Sequence, residues 1–240
     1  FYSYLFFSIL LANHILFELE TKLFNIYILV QIMKKDTSSK LDIYKLKTSE
    51  ELLKYYYDWA NNNKYNKDMV DWNYTAPQEA VSILKKYAFN KKLKILDAGC
   101  GTGLVGIELN KYGFSNIEGV DFSQSMLDLV PQGIYKKIEK IDLNKPLKFK
   151  DNMYDVLMCV GTFTYGHVKP KALDELIRIT KNRGLICFTI NEGIYEEYGF
   201  DKKIKELSDR KSLNIKEFFK SDYITTKDVE AWLCLAEIIK

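Results

Sequence analysis

The chain has 240 residues, of which 47% are hydrophobic and 28% charged, and its formal net charge is +3. These values are typical of a globular domain whose core is large enough to fold without disulfide or metal staples. Only three of the 35 basic residues are arginine, the side chain that reads phosphates and base edges best, so composition does not favour a nucleic-acid-binding protein. The four cysteines form no CxxC pair and there are only two histidines, which predicts free thiols in the reducing cytoplasm and no metal site.

Residues 1–32 differ in character from the rest of the chain. Two apolar runs begin there, FYSYLFFSILLANHILF and LFNIYILVQIM, of which the second ends at Met33, and both are interrupted by polar residues. Neither run reaches the roughly 18–20 clean apolar residues of a membrane-spanning helix. Because the first methionine is Met33, we interpret residues 1–32 as a non-native or poorly ordered extension translated from upstream of the true start. A membrane anchor is the alternative, and only then would the protein contact a membrane.

Residues 33–92 are predicted to form a helical cap. Thr48 and Glu51 fit a capping box that would start a helix, after which apolar residues recur at helical spacing. A loop rich in asparagine and lysine follows, and Thr75 with Gln78 could cap a second helix.

Residues 93–240 alternate between strands and helix-length segments. This alternation predicts parallel pairing with right-handed crossovers, and therefore a doubly wound, Rossmann-like α/β sheet. Two final apolar stretches, LNIKEFF and EAWLCLAEIIK, have only a short polar loop between them, which predicts an antiparallel hairpin as strands six and seven. We expect helices at about 103–111, 169–180 and 195–211, and the first five strands at Lys94–Asp97, Ile117–Asp121, Tyr135–Asp142, Tyr154–Val160 and Leu185–Ile190.

The turn in LDAGCGTGLVG can be aligned to two cofactors. Gly101, Gly103 and Gly106 satisfy G-x-G-x-x-G, and Asp121 lies about 20 residues further on, where a dinucleotide-binding fold places the carboxylate for the ribose. The pattern is therefore compatible with a nicotinamide-dependent oxidoreductase.

Carboxylates next to the turn favour S-adenosylmethionine instead. Asp97 at the end of strand one would repel a pyrophosphate, whereas it would attract an ammonium or a sulfonium group. Gly99 adds a further tight position, which gives G-x-G-x-G. Asp142 at the end of strand three could accept a hydrogen bond from an adenine amino group, with Leu143 packed on the ring. An antiparallel ending is also unusual for a dinucleotide-binding fold.

The segments ILDAGCGTG, GVDFSQSML, KIDL and VGTFTYGHV resemble those of class I S-adenosylmethionine-dependent methyltransferases. An upstream YYDWA, followed by Tyr65, is most similar to the methyltransferase-like group named after the Williams–Beuren syndrome region. The sequence departs from this pattern at KNRG, where such enzymes usually carry Pro-Gly-Gly before strand five. Over residues 55–239 the resemblance implies a Rossmann-like sheet, S-adenosylmethionine as cofactor, and methyl transfer.

The resemblance also implies a cofactor site with two ends and a cover. The methionine and sulfonium end would lie against the first turn and the end of strand four, at Asp97, Gly99, Gly101, Gly103, Val160 and Gly161. The adenosine end would lie against the ends of strands two and three, at Asp121, Phe122, Met126, Asp142 and Leu143, with Asp121 on the ribose hydroxyls. The aromatic cover would consist of Tyr57, Trp59 and Tyr65.

Several of these residues have a structural alternative. Phe122 and Met126 could belong to the core, and Tyr57 and Trp59 to a helix face packed on the sheet. His167, just beyond strand four, is the candidate general base if the acceptor arrives protonated. The acceptor is expected to be a small molecule or a protein. A non-catalytic cofactor-binding protein and a nicotinamide-dependent oxidoreductase stay as alternatives.

Overall fold

The computed structural model describes residue 22 and residues 42–46, 48–166 and 168–240. The interpretation of residues 1–32 therefore falls outside the described residues, apart from Lys22. Within the described ranges, no helix combines the length and the apolar character that crossing a bilayer requires.

Between residue 48 and the first strand, the structure has three α-helices: α1 Ser49–Ala60, α2 Lys64–Asp71 and α3 Ala76–Leu84. The predicted capping box starts α1, because Glu51 N–H donates to Thr48 Oγ1 at 3.1 Å and Thr48 N–H donates to Glu51 Oε2 at 3.1 Å. Thr75 caps α3 without a side-chain hydrogen bond to the backbone of the helix, since its hydroxyl lies 2.8 Å from Glu79 Oε1 and 2.9 Å from the Asp222 carbonyl oxygen and donates its one proton to either of them.

The described residues form a seven-stranded sheet in the order β3-β2-β1-β4-β5-β7-β6. The strands β1 to β5 pair in parallel, and β7 lies antiparallel between β5 and β6, so the predicted fold class is confirmed. The strand bounds are β1 Ile95–Ala98, β2 Ile117–Asp121, β3 Lys137–Lys140, β4 Tyr154–Phe163, β5 Thr180–Asn191, β6 Leu213–Ile224 and β7 Val229–Ile238.

Five further α-helices of the described residues lie between strands of the sheet. Their bounds are α4 Leu104–Lys111, α5 Gln124–Leu127, α6 Ala172–Ile179, α7 Glu192–Tyr195 and α8 Phe200–Asp209. All four residues of β1 are buried, as expected for a central parallel strand covered on both faces.

Several elements differ from their predicted bounds, and for three of them the structure gives the reason. Strand β3 is only Lys137–Lys140, because it is a charged edge strand with one neighbour. Strand β5 begins at Thr180, before the predicted start at Leu185, because a register shift with a left-handed Arg183 lets its pairing with β4 continue through residues 181–184. The predicted helix over 195–211 is two helices, since Gly199 adopts φ +78° and starts α8.

Candidate functional site

A cavity opens at the carboxyl ends of β1, β2 and β4, where the strand order reverses between β1 and β4. This is the position at which open α/β sheets bind ligands. The space between its walls, counted together with its open mouth, is about 960 Å³. Ten of the residues predicted for the site line it: Tyr65, Gly99, Gly101, Asp121, Phe122, Met126, Asp142, Leu143, Val160 and Gly161.

The turn between β1 and α4 forms the floor of the cavity. Gly101 adopts φ +52°, a backbone angle that residues other than glycine rarely adopt. No atom of the described residues lies within 4 Å of the position that its Cβ would take. A side chain at this position would therefore extend into open space at the cavity wall. Behind the turn, the Thr162 hydroxyl donates to the Ala98 carbonyl at 3.2 Å and holds β1 against β4.

Asp121 ends β2 beside this turn, and backbone donors fix its carboxylate. Gly101 N–H donates to Oδ2 at 2.8 Å, and Ser123 N–H donates to Oδ1 at 2.8 Å. Burial raises the pKa of Asp121, although these backbone hydrogen bonds favour its charged form. A carboxylate has about four acceptor positions, so each oxygen can still accept a hydroxyl proton from a diol in the cavity.

One side of the cavity is apolar and suits a flat ring. Met126 and Leu143 are buried in this wall, beside the partly exposed Phe122 and Ile141. Asp142 lies at the edge of this wall, and its Oδ1 accepts from Asn144 N–H at 2.9 Å.

Aromatic residues from the N-terminal helices close the opposite side. Tyr65 of α2 and Tyr56 of α1 line the cavity, together with Tyr74, which precedes α3. Burial and the charge of Asp121 raise the pKa of Tyr65, so this phenol stays neutral and can donate a hydrogen bond. The ring of Tyr74 meets that of Tyr223 edge to face, with centroids 5.1 Å apart.

Two of the predicted cover residues do not reach the cavity. Tyr57 is 61% exposed, because it lies off the face of α1 on which Leu52 and Tyr56 are four residues apart. Trp59 is 6% exposed and packs in a cluster with Tyr55, Tyr56, Tyr65 and Trp72. Its indole N–H donates to Asp68 Oδ2 at 2.6 Å, so Trp59 anchors the cap.

Asp97 and Gly103 also lie outside the cavity lining. Asp97 is fully buried below the turn, where its Oδ2 accepts from the Tyr135 hydroxyl at 2.6 Å. Gly103 is the N-cap of α4 and faces Val130 and Tyr135. His167, the candidate general base, lies outside the described residues.

The sequence reasoning missed several residues of the wall. Tyr56 could have been found from its place four residues after Leu52 on the predicted helix, since both line the cavity. Tyr74 and Thr162 carry no such signal, because only the folded chain brings them to the turn.

Residues 96–188 match the family model described as a methyltransferase domain. The chain is 36% identical over 141 residues to methyltransferase-like protein 27 of Homo sapiens, an alignment that covers 57% of this chain and 56% of that protein. The chain spans about half the length of the curated relatives it matches.

Solved structures resemble this fold at low sequence identity. One is a chain of the Haloferax volcanii complex between the Trm112 methyltransferase activator and a candidate methyltransferase, with a TM-score of 0.58, 16% identity, and coverage of 77% of this chain and 98% of that chain. Another is an S-adenosylmethionine-dependent methyltransferase from Aquifex aeolicus, with a TM-score of 0.50, 19% identity, and coverage of 67% and 89%. At this identity the likeness concerns the fold.

Proposed function

We propose that this protein is an S-adenosylmethionine-dependent methyltransferase that acts on a small-molecule or protein acceptor. The observation that carries the proposal is the hydrogen bond between Asp121 and the turn at Gly101. It places a fixed carboxylate beside a stretch of backbone that no side chain covers, and both line one cavity. The match of residues 96–188 to a methyltransferase domain supports it.

The charges around the turn fit this cofactor better than a dinucleotide. The Oδ1 atom of Asp97, buried beneath the turn that lines the cavity, has no hydrogen-bond partner among the described residues, so a hydrogen-bond donor is missing on the acidic side of the turn. An ammonium group could supply that donor. A pyrophosphate could not, and like charges 4 Å apart repel by about 4 kcal/mol at an effective dielectric constant of about 20.

Each wall would then hold one part of the cofactor. Asp121 would accept hydrogen bonds from the two ribose hydroxyls. Met126 and Leu143 would pack on the adenine ring, and Asp142 would accept a hydrogen bond from the adenine amino group. The backbone at Gly99 and Gly161 would lie against the methionine end of the cofactor.

The bound cofactor supplies an activated methyl group and its own leaving group, so the protein has to position the acceptor and exclude water. Tyr65 and Tyr74 would cover the reacting atoms and shield them from solvent. His167 would take a proton only from an acceptor that arrives protonated.

Two narrower assignments go with this proposal. The YYDWA segment and the similarity to human methyltransferase-like protein 27 support membership of the methyltransferase-like group named after the Williams–Beuren syndrome region. All four cysteines are free and buried, which supports a reducing compartment, the cytoplasm.

Calorimetry with the reaction product tests the cofactor. We expect S-adenosylhomocysteine to bind with one saturable site and NADH, at the same concentration, to give no heat of binding. Binding of NADH in place of S-adenosylhomocysteine would overturn the proposal. Transfer of a labelled methyl group to members of an acceptor library then separates an enzyme from a protein that only binds the cofactor.

Residues 55–66 should open without ligand and close over it. The Trp59 cluster packs against both ends of the segment, through Tyr55 and Tyr65, whereas Asn62 and Asn63 form a left-handed kink between them. The Thr102 hydroxyl donates to Asn66 Oδ1 at 2.6 Å and links α2 to the glycine turn. Such a segment can open at low free energy and close to complete a site.

Hydrogen exchange measures this closure. Adding S-adenosylhomocysteine should slow exchange in residues 61–66 strongly, in residues 55–60 less, and in β5 hardly at all. Equal protection of residues 55–66 with and without ligand would show that the whole cover is static.

A further inference from the structure

We propose that Tyr135 is a positioning residue for the amino-acid end of the cofactor and that it acts through Asp97. This inference rests on the proposed function. Tyr135 lies two residues before β3, and neither it nor Asp97 lines the cavity, so any effect it has on the cofactor must pass through Asp97 and the turn directly above it, where Gly99 and Gly101 do line the cavity.

The Tyr135 hydroxyl connects two parts of the cofactor turn. It donates to Asp97 Oδ2 at 2.6 Å, and it accepts from the N–H of Gly106 at 3.2 Å. One phenol therefore joins the carboxylate at the end of β1 to the first turn of α4. This arrangement fixes the rotamer of Asp97, since a carboxylate held at one oxygen keeps the direction of the other.

Two glycines make room for the ring. A Cβ at Gly106 would collide with the ring and hydroxyl of Tyr135, and a Cβ at Gly119 in β2 would lie 3.2 Å from the ring. Gly106, the last glycine of the G-x-G-x-x-G pattern, therefore leaves the space that the Tyr135 ring occupies. Its packing role explains why the pattern can be satisfied here without a dinucleotide.

The second oxygen of Asp97 shows what the arrangement lacks. Asp97 is fully buried, and its Oδ1 has no hydrogen-bond partner among the residues that the structure describes. A buried carboxylate oxygen without a donor is costly, so a ligand that brings a donor gains binding free energy there. The amino-acid end of S-adenosylmethionine carries an ammonium group that meets this requirement.

The groups around Asp97 also make its charge depend on pH. Among the described residues, those that interact with it are Tyr135, Asp121 and the thiols of Cys100 and Cys159. Burial raises the pKa of Asp97 to about 7, the charge of Asp121 adds to this, and the Tyr135 hydrogen bond opposes it. The charged form that attracts an ammonium group is therefore lost as pH falls through about 7.

Substituting Tyr135→Phe and comparing two ligands by calorimetry tests the proposal. S-Adenosylhomocysteine carries the amino-acid end, and adenosine does not. We expect the variant to bind S-adenosylhomocysteine about tenfold or more weakly, because it loses a hydrogen bond to a charged group, and to bind adenosine as the parent protein does. The pH midpoint of S-adenosylhomocysteine affinity should also move upward, since the charged form of Asp97 loses its donor.

Tyr154→Phe is the control, because the Tyr154 hydroxyl donates to Glu118 Oε2 at the same 2.6 Å in a buried setting away from the cavity. It should leave both affinities and the pH midpoint unchanged. In an Asp97→Asn background, Tyr135→Phe should have a clearly smaller effect on S-adenosylhomocysteine. An unchanged affinity in Tyr135→Phe, or equal losses for both ligands, would overturn the role of Tyr135. Failure of the parent protein to bind S-adenosylhomocysteine would instead overturn the proposed function.

Discussion

Replacing Gly101 by valine is expected to abolish binding of S-adenosylhomocysteine. Gly101 adopts φ +52°, and its Cβ would enter the cavity with no protein atom within 4 Å. A branched side chain would therefore fill space that the ligand needs. It would also strain the backbone by about 1–2 kcal/mol and move the N–H that donates to Asp121, so the ribose carboxylate would lose one of its supports.

Gly133→Val separates these two effects. Gly133 is exposed, adopts φ +84°, and has no atom of the described residues within 4 Å of its Cβ position, so valine there strains a left-handed backbone without reaching the cavity. Both variants should lose free energy of unfolding in denaturant titration, and Gly101→Val also loses the support that its N–H gives to Asp121. Only Gly101→Val should show no heat of binding in calorimetry, and normal binding by this variant would remove the turn from the cofactor site.

The fold could be predicted because its signals are local and repeated. Apolar runs that alternate with helix-length segments imply parallel strands, and the short loop between the last two strands allows only a hairpin. The ends of the helices and strands were harder to predict, because the backbone conformation of single residues determines where an element begins or ends. Gly199 divides the predicted helix over 195–211, and the left-handed Arg183 lets β5 begin at Thr180.

The candidate site could be predicted where the chain itself carries the geometry. Gly101 and Asp121 follow directly from strand ends, and both line the cavity. Tyr57 and Trp59 could not be placed, since neighbours on one helix can face solvent, the cluster or the cavity. Tyr135 gave no signal at all, because its meeting with Asp97 depends on how a loop before β3 folds back under the turn.

Asp121→Ala is expected to weaken binding of S-adenosylhomocysteine by about tenfold or more. The carboxylate can accept from two ribose hydroxyls at once, and hydrogen bonds to a charged group contribute about 1.5–3 kcal/mol. Removing it also frees the N–H groups of Gly101 and Ser123, each of which donates at 2.8 Å, so the turn should lose some rigidity. Calorimetry gives the affinity, and thermal unfolding shows how much of the loss comes from the fold.

Comparison of adenosine with 2′,3′-dideoxyadenosine isolates the part of this effect that belongs to the ribose. The parent protein should prefer adenosine strongly, because only adenosine offers the two hydroxyls to Asp121. The Asp121→Ala variant should bind the two nucleosides about equally, because it no longer has a carboxylate for the hydroxyls. A general loosening of the turn would weaken both affinities alike and would not change the preference. Asp142→Ala, on the same cavity wall, should keep the preference for adenosine while it lowers both affinities. If Asp121→Ala retained the full preference, the ribose would be bound elsewhere in the cavity, and Asp121 would serve only to brace the glycine turn.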